Sequence, residues 1–204
     1  MRRPRNLQER VHAAILEAAA HVFARRGSGA SMSAVASAAG IARATLYRYF
    51  PNREALQQEL IRSAVAEAAR RLKAARLDEV EVPEGIARAV RALVTIGDGY
   101  VILAREQPRP RQFERSIGSP LRALFERGQV AEDIRNDIPA SWLAEALLGL
   151  VVGALLSSDR LGTEDSVAVI STLFLDGSRS LQAGLTGPSP QRSYSSSSVT
   201  RPRS

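Results

Sequence analysis

From Leu7 to Arg26 the apolar positions Val11, Ile15, Ala18, Ala19, Val22 and Phe23 recur at spacings of three and four, and so share one face of an α-helix. Gly27 and Gly29 end that helix, with Arg25 and Arg26 in its last turn, where cations suit the helix dipole. Ser31 or Ser33 can cap a short second helix running to about residue 39, where Gly40 breaks it. A third short helix is predicted over residues 43–50. Pro51-Asn52 then interrupts, and Asn52 can cap a long helix from residue 53 to about 76.

Pro83 fits the first turn of the next helix, predicted to about residue 106 with Gly97 and Gly99 in its interior. Pro108 and Pro110 bound a connector, followed by helical segments over residues 111–117, 120–127 and 131–136. Pro139 opens a strongly apolar helix to about residue 158, and a last helix spans about 163–183. Few runs alternate with period two, and alanine, leucine and arginine, all helix formers, dominate. The pattern predicts an all-α fold of about nine helices. It divides into a three-helix N-terminal domain over residues 1–56, a larger helical domain over 57–183, and a Gly-, Pro- and Ser-rich tail over 184–204 that cannot bury much surface.

Composition narrows the class. At 204 residues with 45% hydrophobic and 24% charged side chains, the chain can bury a substantial core. No run of about 18 apolar residues exists to span a membrane; the longest candidate, residues 143–156, contains Glu145. The absence of cysteine rules out a disulfide scaffold, a thiolate-zinc site and a cysteine nucleophile. The basic start Met1-Arg2-Arg3-Pro4-Arg5-Asn6 is followed by no apolar signal core, so a cytoplasmic location is expected. The formal net charge of +7 is unevenly placed. Residues 1–53 hold nine arginines against Glu9 and Glu17, whereas the remaining 19 bases and 19 acids cancel. That asymmetry fits a polyanionic partner (DNA, RNA or an anionic membrane surface), and charge alone does not separate these from clustered solubility charge.

The stretch from Ser31 to Leu56 is more specific. Two short helices joined at a glycine are the pattern of a helix-turn-helix. Ala36 is small where the second helix crosses, Gly40 can take a left-handed backbone, and Val35, Ile41, Leu46 and Phe50 make a small core. An RNA-binding or membrane-surface protein would share the charge but has no use for this turn and spacing. Ala38-Ala39-Gly40-Ile41, Thr45-Leu46-Tyr47-Arg48-Tyr49-Phe50 and Asn52-Arg53-Glu54-Ala55-Leu56 resemble the N-terminal signature of TetR-family transcriptional regulators. Ala18-Ala19 and Phe23-Ala24-Arg25-Arg26-Gly27 match that family's first helix and its end. The resemblance covers about the first quarter of the chain; beyond it only the general helical plan is shared. The chain departs from the pattern at Ala42, where the family has a capping serine, at Ala44, where glycine is common, and at Arg53, where lysine is usual.

The resemblance implies that the second helix of the motif enters the major groove. The implied DNA-contacting set is Ser33, Arg43, Ala44, Thr45, Tyr47, Arg48, Tyr49 and Arg53. Thr45, Tyr47, Tyr49, Arg53 and Ser33 take phosphates, and Arg43, with Arg48 second, takes base edges, since arginine suits guanine. Core packing for Tyr47 and a merely solvated charge for Arg48 are the competing readings. Arg2, Arg3 and Arg5 form a candidate arm or a frayed terminus. His12 and His21, nine residues apart, cannot pair as metal ligands, and His21 is expected to pack within the first helix.

The resemblance further implies a homodimer whose larger domain binds an unidentified small-molecule effector. Ala146, Gly149, Leu150 and Gly153 put small residues on one face of an apolar helix. With Val167, Ile170, Leu173, Phe174 and Leu181 they suit a four-helix dimer interface or packing within one chain. Candidate pocket residues are Ile96, Tyr100, Leu103, Phe113, Ile117, Leu121, Trp142 and Leu147, with Asp98 or Gln107 polar; ordinary core is the competing reading. Arg105, Arg109, Arg111 and Arg115 cluster near Pro108 but alternate with Glu106 and Glu114, as on a solvated surface. An enzyme is disfavoured: histidines are isolated, Gly97-Asp98-Gly99 follows no strand, and neither a metal nor a cofactor is expected. The expected function is a ligand-released repressor on a palindromic double-stranded operator.

Overall fold

A computed structural model of the chain describes residues 7–105, 111–157 and 161–179. Nine helices carry them: α1 (Leu7–Arg26), α2 (Met32–Ala38), α3 (Arg43–Tyr49), α4 (Arg53–Ala75), α5 (Val82–Val94), α6 (Asp98–Arg105), α7 (residues 111–130), α8 (Ala140–Leu156) and α9 (Thr163–Ser178). Among the described residues the only β contact is an isolated bridge between Ile134 and Arg179. The candidate arm (Arg2, Arg3, Arg5), Gln107, Arg109, Leu181 and the tail lie outside the described residues.

Helices α1 to α3 form a head, with α2 packed between α1 and α3. The long α4 leaves the head against α1 and continues into the body, where it packs on α5 and α6. In the body α5 lies against α7, α8 and α9, and α8 against α7 and α9. One continuous apolar core runs from Ile15 and Leu46 in the head, through Leu56, Leu60 and Val65 of α4, to Leu93, Tyr100 and Phe125 in the body. At 1.5 Å per residue, the 23 residues of α4 span about 35 Å, so it links both ends of the molecule.

Local chemistry sets the boundaries. The Asn52 side chain accepts from the Ala55 backbone N–H at 2.8 Å, capping α4. The helix expected over residues 83–106 is instead two. Gly97 adopts a left-handed backbone (φ 64°) and its N–H bonds the Val94 carbonyl, closing α5 before α6 begins. Residues 131–136 form a turn rather than a helix. The Asp133 and Ile134 N–H groups both donate to the Gly128 carbonyl, and the Arg135 N–H goes to Ser178, pinning the turn on α9. The segments expected at 111–117 and 120–127 merge into α7 through a π-helical stretch, Glu114–Gly118. Pro120 has no N–H for the α-helical ladder and its ring crowds the preceding turn, so the helix widens just before it.

Candidate nucleic-acid interface

The head is built around a tight turn. The Ser31 Oγ accepts from the Ala34 N–H at 3.2 Å, so Ser31, not Ser33, caps α2. Gly40 sits at φ 65°, and the paired bonds Gly40 N–H to Ser37 and Ile41 N–H to Ala36 (3.0 Å) end α2 in a Schellman motif. That turn aims α3 across α2. Val35 and Leu46 are fully buried, Ala36 and Phe50 nearly so, while Ile41 is only half-buried. Ala42 offers no side-chain bond at the start of α3, as its methyl group dictates.

With Leu46 turned inward, α3 presents Arg43, Ala44, Tyr47 and Arg48 to solvent. Thr45 and Tyr49 are half-buried beside them, and Ser33 is exposed on α2. The Arg43 guanidinium lies 5.9 Å from the Tyr47 ring centre, and that of Arg48 lies 5.8 Å from Tyr49. These stacking contacts orient the guanidiniums without neutralising them. Among the described residues, Arg25, Arg26, Arg43 and Arg48 form no ion pair. The exposed face of α3 therefore combines arginine donors, a phenol and two small or hydroxylic side chains, a set suited to phosphate oxygens and base edges.

Arg53 occupies a different setting from the one its sequence position suggested. Its Nε donates to the Ala30 carbonyl and its Nη2 to the Gly27 carbonyl, both at 3.1 Å, and the guanidinium lies 5.0 Å from the Phe23 ring centre. These bonds fix the end of α1 to the start of α4 and occupy much of the group assigned to a phosphate. His21 departs likewise: rather than packing within α1, it is exposed and its Nδ1 lies 3.0 Å from Asp98 Oδ2 on α6. This contact joins head to body beside a groove of about 700 Å³ lined by alanines together with Glu17, Glu67 and Asp98. The hydrogen bond from Arg70 is the largest influence on Glu67, and with the weaker one from Arg71 it outweighs the opposing effect of burial and holds the carboxyl below the usual carboxylate range.

In the body the candidate pocket and interface residues fall in several different settings. Of the candidate pocket residues, Tyr100, Leu103, Phe113, Ile117, Leu121 and Leu147 are packed core, at most 1% exposed. Ile96 is half-buried at the edge of the head–body groove, and Trp142 points outward, 71% exposed. Of the candidate interface residues, Ala146, Gly149, Leu150 and Gly153 are exposed along α8. Ile170 and Phe174 are instead buried within the chain, Phe174 packed 5.2 Å from Phe125; Val167 is buried too. The outward apolar residues of α9 are Leu173, one of the interface candidates, and Val169, which sequence spacing did not single out. Helix α8 is apolar nearly all round, so its pattern carries no phase, and only packing decides which side faces the core.

These features define a helix-turn-helix reading head carried on an all-helical body. Residues 15–60 match the family model described as bacterial regulatory proteins, tetR family. No curated protein sequence matches the chain. Among solved structures, the TetR-like transcriptional regulator LfrR from Mycobacterium smegmatis aligns with a TM-score of 0.65 at 23% identity, over 85% of this chain and 98% of that one. The same regulator in complex with proflavine aligns at 0.59 and 25% identity, over 83% and 97%. AibR in complex with isovaleryl coenzyme A and operator DNA aligns at 0.63 and 19% identity, over 80% and 97%. The family match thus falls on the helix-turn-helix head, and the structural likeness shows that head and body together have the fold of TetR-like regulators. No helix among the described residues is long and apolar enough to cross a membrane.

Proposed function

We propose that the chain is a cytoplasmic, homodimeric repressor that binds a palindromic operator and is released by a small molecule bound in its body. The observation that carries the reading is the outward face of α3, where Arg43 and Arg48 stand uncompensated beside Tyr47 on a helix fixed by the Gly40 turn. Arg43 takes a base edge; Thr45, Tyr47, Tyr49 and Ser33 take phosphates; Ala44 allows close approach. Arg53 acts chiefly by holding α4 to the head. The reading domain is residues 1–56 and the effector and dimerisation domain 57–183.

The dimer surface is the exposed side of α8 and α9. Trp142, Leu150, Leu156, Val169 and Leu173 are all exposed there, and a Cβ added at Gly149 or Gly153 would meet nothing within 4 Å, leaving room for a second backbone. Two copies joined on this side place two α3 helices about 34 Å apart, one turn of DNA. A small molecule that tilts α4 changes that separation and weakens DNA binding by a coupling energy of about 1–3 kcal/mol. LfrR with proflavine and AibR with a coenzyme A thioester are similar chains carrying small molecules, which supports the effector reading. Selection from a random DNA pool tests it: a two-fold symmetric site should emerge, with affinity falling steeply as salt rises. Recovery of no preferred sequence would overturn it.

A further inference from the structure

The body carries a second concavity, of about 490 Å³, between the end of α4, the turn after it and α7. Its floor is apolar, formed by the buried side chains of Leu72, Leu77 and Leu124. Its rim is basic: Lys73, Arg76, Arg115 and Arg127 surround it, with Asp78 the one carboxylate among the lining residues. Two of these cations have structural work. Arg127 Nη2 donates to the Leu77 and Val80 carbonyls, at 2.9 and 2.6 Å, and Arg76 Nη1 pairs with Glu79 at 3.0 Å. Lys73 and Arg115 have no such partner among the described residues.

Two uncommitted, solvent-exposed cations above an apolar floor suit a counter-charge attached to an apolar body. A pocket of this size falls in the ordinary range for small organic ligands. Its location gives binding a route to the reading head. Ala69, Leu72, Lys73 and Arg76 belong to the last turns of α4 and its cap, and the other end of the same helix is bonded to the head through Arg53. The chain leaves α4 at Arg76 in a left-handed conformation (φ 49°), unusual for a residue with a Cβ, so the pocket wall includes a strained joint. The groove beside the head has the opposite character, with Glu17, Glu67 and Asp98 in its lining, and repels anions.

We propose that this pocket binds an amphipathic organic anion, an aliphatic or aryl group bearing a carboxylate or a phosphate, with the charge held between Lys73 and Arg115 and the apolar part on Leu72, Leu77 and Leu124. Occupation is the effector event that acts on α4, a step that rests on the ligand-responsive reading above.

Lys73 is the only lysine of the chain, which supplies a direct probe. Reductive methylation of the full chain with ¹³C-formaldehyde gives one side-chain amine resonance besides the terminal one. Titration with octanoate and with octyl phosphate should shift that resonance and saturate at one ligand per chain, and the stronger of the two identifies the anionic group. Octylammonium and octanol should leave it unmoved. By calorimetry, Lys73→Ala/Arg115→Ala should weaken anion binding about tenfold or more, from loss of two charge-assisted hydrogen bonds. Ala123→Trp, on an exposed lining position, should block the pocket while leaving the fold intact. Equal binding of octylammonium, or unchanged binding in both variants, would overturn the site. Operator affinity is measured separately with the selected DNA. Anion binding without any change in operator affinity would overturn the effector role. Failure to bind any operator would overturn the regulator reading instead, whatever the ligand result.

Discussion

The head and the body treat the same residue type in opposite ways. In the body, most of the described arginines meet carboxylates close by: Arg70 and Arg71 bond Glu67, Arg91 bonds Glu164 at 2.7 Å, and Arg135 bonds Asp137 at 2.6 Å, with Arg115 an exception. In the head, Arg25, Arg26, Arg43 and Arg48 have no acidic partner among the described residues. Hydrophobic surface is divided the other way. The head buries Val35, Leu46 and Phe50 within itself, whereas the body leaves Trp142 and Leu173 exposed. Charge that is not cancelled at home is available to a polyanion, and apolar area that is not covered at home is available to a protein surface. Under the proposed function, nucleic acid takes the first end and a second copy the other.

The largest expected break comes from the body's open face. Leu173→Glu removes an apolar contact from each subunit at once, about 1.5–3 kcal/mol per leucine before the cost of the buried charge. Sedimentation should show monomer, and operator binding should fall with it; an unchanged dimer would move the interface elsewhere. Leu46→Ala comes next. It opens a cavity at a fully buried position and should cost about 2–5 kcal/mol in the head, read as early loss of operator binding on heating.

Two arginine variants then sharpen the division within the head. Arg43→Ala should reduce discrimination among operator variants by about 1–3 kcal/mol at one base position, leaving the thermal midpoint unchanged. A uniform loss over all sequences would make Arg43 a phosphate contact. Arg53→Ala should instead lower stability by about 1–3 kcal/mol, since the Gly27 and Ala30 carbonyls lose their donors, and should leave the salt dependence of DNA binding nearly as it was. A drop of about 1 in the slope of log K against log salt would return Arg53 to the phosphate contacts.

The smallest effect is in the body's ion pairs. Glu67, Asp137 and Glu164 are all held below their usual range by arginine hydrogen bonds. A carboxylate with a depressed folded pKa contributes stability that is present above its unfolded value and disappears as pH falls through the lower, folded one. The thermal midpoint should therefore decline as pH is taken below about 4.5, where unfolded carboxylates begin to protonate. Exposed pairs are weak, so Glu67→Gln should remove only a small part of the decline. A decline undiminished by replacing all three would place the acid sensitivity in other groups.

Much of the head was legible beforehand because its determinants are local. A capping hydroxyl, a glycine with positive φ, an Asn cap and an inward leucine each act within a few residues of themselves, as at Ser31, Gly40, Asn52 and Leu46. The body resisted for equally physical reasons. Gly97 reads as a flaw in one helix until its backbone is seen to close α5, and residues 131–136 have helical composition but take their bonds from Gly128 and Ser178. The partnership of His21 with Asp98 joins residues 77 apart, which no local pattern encodes.

By itself the sequence determined the all-helical class, the helix-turn-helix and the concentration of positive charge in its first quarter, because periodicity, capping and charge are properties of neighbouring residues. Tertiary packing alone decided which face of α8 stays open, that Phe174 turns inward onto Phe125, that Arg53 is occupied by two carbonyls, and that Lys73 and Arg115 meet over one apolar floor. Those outcomes depend on which surfaces compete for burial once the helices meet, and a helix that is apolar all round does not state its preference until its neighbours are in place.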